Sequence, residues 1–522
     1  MKRFFCVSMV FLACLAFSFG SLMAAEPVRG GTLVIGIPDN PDRLDGHRAN
    51  SAVAYWVTCG LIYNGLVSGG ENYGVFPNLA QSWEIKEGGR VWDFKLHQGV
   101  KFHDGSELTA EVVKWNFERA YDPKTGWVNK KDFEAVLERV EAVDKYTVRF
   151  YLKRPSQIFH IAPLAVGGRS LVMVSKDAVE KLGMKEFDNQ PVGTGPFKLV
   201  EYVRDDHITL VRNENYFKKG LPYLDKIVIK ILHDANTRFS ALRAGEIHMM
   251  YDIPPEMVPI VEKTPGMTYV KSKPCSYVWL ALNMHPESEK VGSVFFKDIR
   301  VRQAIGFAID RDELVRLVVP GMGDPAYGGP MPTGNPFYHK VDFFKYDPER
   351  ARKLLKEAGY SKLKFTLETN NSKARFVRAL EVIKEQLSRV GIEAEIQVFD
   401  KAAQFPRLLA RPSKFHASLE DYEFSLDAST YLSRYLPTGV AQNWMGWSNK
   451  EYDQLLEDGL YEGDFQKRKK LYDRAQEIAV REAPLIFLWY GVEDLVYNSK
   501  VKGYIFTPHY THIAFEGVYF EK

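Results

Sequence analysis

Three acids fall within four residues at Glu420, Asp421 and Glu423, with Tyr422 among them, in a polar-aromatic loop that ends near Asp427. Such a cluster reads in two ways. It is a solvated surface turn, or it is a wall of a binding pocket in which a carboxylate pairs with a cationic group of a ligand. Tyr431, Tyr435, Trp444, Trp447, Trp489 and Tyr490 could supply flat apolar contact area, although core packing is the ordinary use of most aromatics. Nothing in the chain has the spacing of a catalytic motif. There is no G-x-S-x-G, so no nucleophile elbow. There is no H-E-x-x-H and no C-x-x-C, so a zinc ion finds no ligand spacing. His103-Asp104-Gly105 reads as a turn after a strand, and His509-x-x-His512 as a surface strand or loop. No cofactor and no metal site is expected.

The elements that must position such a pocket can be read along the chain. Gly31 to Ile37 is a short apolar strand, and Ser51 caps a helix expected to run to about Leu66. Trp83 to Leu96 carries a hairpin signal around Lys86-Glu87-Gly88-Gly89-Arg90. Thr109 caps a helix over 110–120, and Tyr146 to Leu152 alternates as a strand. The corner Pro191-Val192-Gly193-Thr194-Gly195-Pro196 combines residues that permit sharp turns with residues that fix them, and it feeds a hairpin from Phe197 to Val211. Further on, Phe365 to Thr369, Ala374 to Val390 and Ile392 to Phe399 come in a strand, helix, strand order that predicts a parallel pair. Helices over 451–458 and 466–481 precede an apolar strand from Leu485 to Tyr490.

The whole bounds the class. A chain of 522 residues is long enough for two to four domains. Its 69 basic and 66 acidic residues give no polyanion-binding balance, and nucleic acid is not an expected partner. Lys2 and Arg3, the apolar run from Phe4 to Phe19 and the small residues up to Ala25 read as a secretory signal peptide. Cleavage there would leave 67 basic against 66 acidic residues and two cysteines, Cys59 and Cys275, so one disulfide is possible in an oxidising compartment. An exported, soluble mature protein in the periplasm is expected.

Several stretches resemble a known family. Leu79-Ala80-Gln81-Ser82-Trp83, then Trp92 to Gly105, then Leu108-Thr109-Ala110 look like the signature of extracellular solute-binding proteins of family 5, the peptide, nickel and opine binding components of ABC importers. Val192 to Phe197, Asn213 to Phe217, Ala244 to Ile247, Asp298 to Ile305, Ala308 to Arg311 and Glu357 to Tyr360 agree as well, so the resemblance spans the mature chain. It implies an α/β periplasmic binding protein of cluster C, with two lobes closing on ligand and an extra α/β domain. The implied division is signal peptide 1–25, lobe I in three parts (26–75, 191–280 and 491–522), extra domain 76–190 and lobe II 281–490. The family's ligand-anchoring acid precedes a D-P-like pair and holds a peptide amino terminus in peptide binders. Here Asp427-Ala428 stands where that pair would be; Asp421-Tyr422 fits with a small insertion, and Phe424 without one. Cys275-Ser276-Tyr277 and Trp489-Tyr490 resemble other pocket-lining segments, and Asn50 lies in a lobe I loop that also reaches ligand. The implied ligand set is thus Asn50, Ser276, Tyr277, Asp421, Tyr422, Glu423, Trp489 and Tyr490.

The expected protein is a monomeric, non-enzymatic binding protein that delivers a solute, a short peptide first, to ABC permease subunits in the inner membrane. An oligosaccharide ligand is the alternative within the class, with Trp489 and Tyr490 as stacking platforms. Nickel is weaker for want of a histidine cluster, and a secreted hydrolase lacks its nucleophile or metal motif.

Overall fold

The computed structural model describes residues 27–69, 74–127, 130–159, 165–166, 171–251, 253–422, 425, 427–506 and 513–521. The expected signal peptide, Glu423 and the His509–His512 pair lie outside these residues. Among the described residues no helix is long and apolar enough to cross a membrane.

Seven strands form the first sheet, in the spatial order Met267–Lys271, Asp494–Asn498, Met249–Tyr251, Thr32–Ile37, Lys226–Ile231, His207–Arg212 and Phe197–Val203. Thr32–Ile37 runs parallel to both its neighbours, with Ile35 opposite Ile229 on one side and Met249 on the other. Alternation in Lys226–Ile231 sends Ile227, Ile229 and Ile231 into the core. The hairpin expected after Pro196 is present, His207–Arg212 pairing antiparallel with Phe197–Val203.

The second sheet has six strands, in the order Gly323–Pro325, Leu485–Gly491, Ser276–Leu282, Ala417–Tyr422, Leu363–Asn370 and Ile392–Phe399. The last two are the expected parallel pair, in register from Leu363 opposite Ile392 to Asn370 opposite Phe399, and helix Ala374–Ser388 connects them. Glu420 to Tyr422, read from the sequence as part of a loop, is instead the end of a central strand. Ala417, Ser418 and Leu419 are fully buried between two neighbours, and this hydrogen-bonded setting overrides the polarity of the three residues after them. A third, four-stranded antiparallel sheet holds Ala80–Lys86, Val91–Leu96, Thr147–Leu152 and Leu137–Asp144. It contains the expected hairpin, and helix Ala110–Tyr121 covers it with Val113 and Phe117 buried.

The chain passes between the first two sheets twice, and the crossings lie side by side. Ser272 N donates to Glu493 O at 2.9 Å, Glu493 N to Ser272 Oγ at 3.0 Å, and Cys275 N to Gly491 O at 2.9 Å. Two lobes are therefore joined through a narrow double-stranded connection at 272–275 and 491–493. The first crossing immediately precedes strand Ser276–Leu282.

The glycine-proline corner has a steric explanation. A Cβ on Gly193 would lie 2.2 Å from Ile62 O, and one on Gly195 would lie 2.3 Å from Leu61 O. The corner thus clamps the segment Thr58–Ile62 from behind, with Gly195 N donating to Ile62 O at 2.8 Å. That segment is also where the helix expected over 51–66 departs from expectation. The α-helix ends at Val57 and continues as a wider π-turn over Thr58–Ile62. The Thr58 hydroxyl donates to Ala54 O at 2.7 Å, a side-chain bond that competes with the helical ladder.

Candidate functional site

A cavity of about 390 Å³ opens between the two lobes, against the double connection. Its lobe I wall is apolar and aromatic. Ser51 caps the short helix Ala52–Val57 by accepting from Ala54 N at 3.1 Å, and Asp42 in turn accepts from the Ser51 hydroxyl at 2.6 Å. That cap aims Ala52, Val53 and Trp56 at the cavity, and the following π-turn adds Gly60. Trp56 stacks on Tyr251, with ring centroids 4.7 Å apart and planes at 26°. The Tyr251 hydroxyl meets that of Tyr504 at 3.2 Å, and Tyr504 packs edge-on against Phe515 at 5.2 Å. The loop before this wall is anchored to helix Ala110–Tyr121, where Arg119 Nη1 lies 3.1 Å from Asp45 Oδ1, both side chains buried. His47, between them and bonded to Val172 O at 2.8 Å, is driven down to about 4 by burial and by Arg119 and stays neutral.

The lobe II wall is charged. Ser372, Lys373 and Arg375 come after the carboxyl end of strand Leu363–Asn370, and Lys401 after that of Ile392–Phe399. In an open α/β sheet this end of parallel strands is where a crevice forms. Asp421, opposite Val278 on the neighbouring strand, completes the group. Lys373 Nζ lies 2.5 Å from Asp421 Oδ2. Burial works to raise the Asp421 carboxyl, but Lys373, with Arg375 and Lys401 further out, holds it below its ordinary value. Asp421 is therefore ionised at neutral pH. The floor comes from the double connection and the strands that leave it, through Ser276, Trp489, Gly491, Val492, Glu493 and Asp494.

Behind the charged wall sits a polar hydrogen-bonded network, with Glu368, Asn370, Gln404 and Ser418 buried. Helix Lys401–Leu409 covers it, with Gln404 Nε2 donating to Glu420 Oε1 at 2.7 Å and Asn370 Nδ2 donating to Gln404 Oε1 at 2.8 Å. The Ser418 hydroxyl donates to Glu420 at 2.9 Å, and Arg407 to Glu368 at 3.1 Å. Burial pushes Glu420 up to about 8 and Glu368 up to about 7.

The residues expected from the sequence separate into three groups. Ser276, Asp421 and Trp489 line the cavity. Tyr277 and Tyr490, expected at the ligand, are core residues. Both are fully buried; the Tyr277 hydroxyl donates to Tyr431 O at 3.3 Å and the Tyr490 hydroxyl to Gly329 O at 3.0 Å. Strand alternation explains this, because neighbours in a strand face opposite ways and Ser276 and Trp489 already face the cavity. Tyr490 thus offers no stacking platform for a sugar. Asn50 is exposed beside the cavity rather than lining it, its backbone N donating to Asp42 at 3.1 Å. Tyr422 turns inward among Tyr277, Tyr431 and Tyr435. Asp427 is structural. It caps helix Ala428–Ser433 and pairs with Arg468 Nη2 at 2.9 Å, with both side chains buried. Cys59 and Cys275 are separate buried thiols, so the possible disulfide is not formed.

Trp56, Tyr251, Lys373, Arg375 and Lys401 were not anticipated. For the three cations a signal was available, since each stands just beyond a strand of the parallel pair. Trp56 and Tyr251 are nearly 200 positions apart and meet only through the first sheet, so no local pattern announces them.

Two α/β lobes on separate sheets, joined by a paired double connection with a lined cavity at the joint, define a two-lobed binding protein of the periplasmic type. The family described as bacterial extracellular solute-binding proteins, family 5, matches residues 74–450, and the chain belongs to it. A similar protein is the glutathione-binding protein GsiB of Pectobacterium atrosepticum, 30% identical over 508 residues that cover 95% of each chain. Among solved structures, the periplasmic binding protein DppA of Helicobacter pylori in complex with the peptide STSA superposes with a TM-score of 0.81 at 29% identity, covering 95% of this chain and 99% of that one. The oligopeptide-binding protein AppA of Bacillus subtilis with a nonapeptide gives 0.79 at 26% identity, covering 95% and 100%.

Proposed function

We propose that this chain is the exported substrate-binding component of an ABC importer, acting as a monomer in the periplasm and holding a short peptide between its lobes without turning it over. The observation that carries the reading is the cavity itself, whose aromatic wall on one lobe faces an ion pair and two further cations on the other. A peptide fits both walls, with backbone amides for the polar side and apolar side chains for the aromatic side. Ser276, Asp421 and Trp489 are the ligand contacts proposed from the set implied by the resemblance, joined by Trp56, Tyr251 and Lys373. Relatives that bind glutathione and peptides support this choice of ligand class. Two lobes linked by the chain at 272–275 and 491–493 can close by hinge motion, because ligand adds contacts to both walls in the closed state alone.

The test is native mass spectrometry of protein recovered from the periplasmic fraction. Bound masses that fragment as peptides are expected, on a chain beginning near Glu26. Recovery of oligosaccharide alone would overturn the peptide reading.

A further inference from the structure

The carboxylate that should hold a peptide's amino terminus already holds an ammonium, and that ammonium belongs to the protein. Lys373 Nζ and Asp421 Oδ2 are 2.5 Å apart, and each side chain keeps about a quarter of its surface exposed, 26% and 24%. Lys373 does not arrive there on a loose loop. Asn370 Oδ1 accepts from Ser372 N at 3.1 Å, Asn371 Nδ2 donates to Asp400 Oδ1 at 2.7 Å, and Asn371 N donates to Phe399 O at 2.9 Å. Helix Ala374–Ser388 starts at the next residue, with Phe376, Leu380 and Ile383 buried beneath it. The lysine backbone is thus fixed on one side by a hydrogen-bonded turn and on the other by a packed helix.

A ligand ammonium brought to Asp421 would enter the field of Lys373 a few ångströms away, with Arg375 and Lys401 beyond it on the same wall. Like charges at that range repel, which offsets what the incoming ammonium gains from Asp421. Resting on the peptide reading, we propose that Lys373 takes the place of the ligand's amino terminus at Asp421, so that this end of the cleft recognises peptides whose amino end is acylated or otherwise uncharged. The Lys373–Asp421 pair presents both a donor and an acceptor to the cavity. An amide, with its own N–H and C=O, complements such a pair without adding charge. Lys373 is then the residue that sets this specificity, and Asp421 contacts ligand as half of an ion pair.

The experiment is calorimetry on matched tripeptide pools, one with free amino termini and one N-acetylated, against the parent protein and Lys373→Met. The parent is expected to bind the acetylated pool at least as tightly as the free one. Lys373→Met uncovers Asp421, and its preference should swing toward the free amine by about tenfold or more, as expected when a buried charge regains a cationic partner. A thermal melt of the variant close to that of the parent establishes that it is folded. If acetylation weakens binding to the parent by about thirtyfold, a ligand ammonium displaces Lys373; the inference then fails and the peptide reading stands. If the parent binds neither pool, the peptide reading falls and the inference with it.

Discussion

The buried pair Asp427–Arg468 holds the start of helix Ala428–Ser433, a few positions beyond the strand that carries Asp421, and its removal is a direct test of how that helix is held. The side chains are 1% and 4% exposed. Arg468 Nη2 reaches both carboxylate oxygens, at 3.0 and 2.9 Å, while its Nε donates to Gly459 O at 2.8 Å and its guanidinium lies 5.2 Å from the Phe337 ring centroid. Asp427→Asn keeps the shape and the cap on helix Ala428–Ser433, because an amide oxygen can still accept from Ser429 N, now bonded at 2.8 Å. What it removes is the charge, and breaking a buried pair in this way costs about 3–5 kcal/mol because the surviving ion stays desolvated. For a lobe of roughly 200 residues that corresponds to a fall in Tm on the order of 10 °C. Differential scanning calorimetry on the purified variant reads it directly. Combining Asp427→Asn with Arg468→Met removes the stranded cation and should recover at least half of the loss. A single variant within about 1 kcal/mol of the parent would refute the reasoning, since it would mean that the guanidinium is solvated without its partner.

Two further outcomes are expected. Glu420 and Glu368 titrate near 8 and 7 in the folded protein, against about 4.5 when unfolded, so the folded state holds more protons across that interval. Their contribution to stability is complete below about 4.5 and is lost as pH rises toward 8. Glu420→Gln, which keeps a neutral partner for Gln404 and Ser418, should raise Tm at pH 8 and flatten its fall between pH 6 and 8; a variant no more stable than the parent at pH 8 would disprove the assignment. Separately, Arg154 in the loop after strand Thr147–Leu152 forms an ion pair with Glu457 and lies 4.0 Å over the Tyr461 ring, both on helix Lys450–Tyr461 of the second lobe. An exposed pair and a cation–π contact are together worth about 1 kcal/mol. If this contact belongs to the closed form, Arg154→Ala should weaken ligand binding about fivefold, mainly through faster release, and enlarge the radius of gyration seen by small-angle scattering. Unchanged affinity and unchanged scattering would make it a surface contact without consequence.

Legibility in the sequence depends on how far apart the interacting residues lie. The hairpins, the strand–helix–strand unit at 363–399 and the glycine-proline corner are local, and each was legible from periodicity or turn chemistry. The corner even implies its neighbour: two glycines stripped of Cβ atoms mean that another backbone comes close, and the carbonyls of Leu61 and Ile62 are that backbone. The acidic stretch resisted for the opposite reason. Its environment is supplied by Trp279, opposite Glu420, by Gln404 from a covering helix, and by Lys373 from a third element. With those partners Glu420 becomes a half-buried, neutral acid and Asp421 an ionised one, although they are adjacent and chemically alike. No count of acids distinguishes them; strand alternation does, once the strand is recognised. Recognition failed because a central strand that is buried in its first half and polar in its second shows no continuous apolar run. The same logic decides the ligand. Asp421 alone invites a cation, whereas Asp421 with Lys373 2.5 Å away already has its charge paired. Specificity therefore resides in a pair whose members are 48 residues apart, and only the fold makes it a pair.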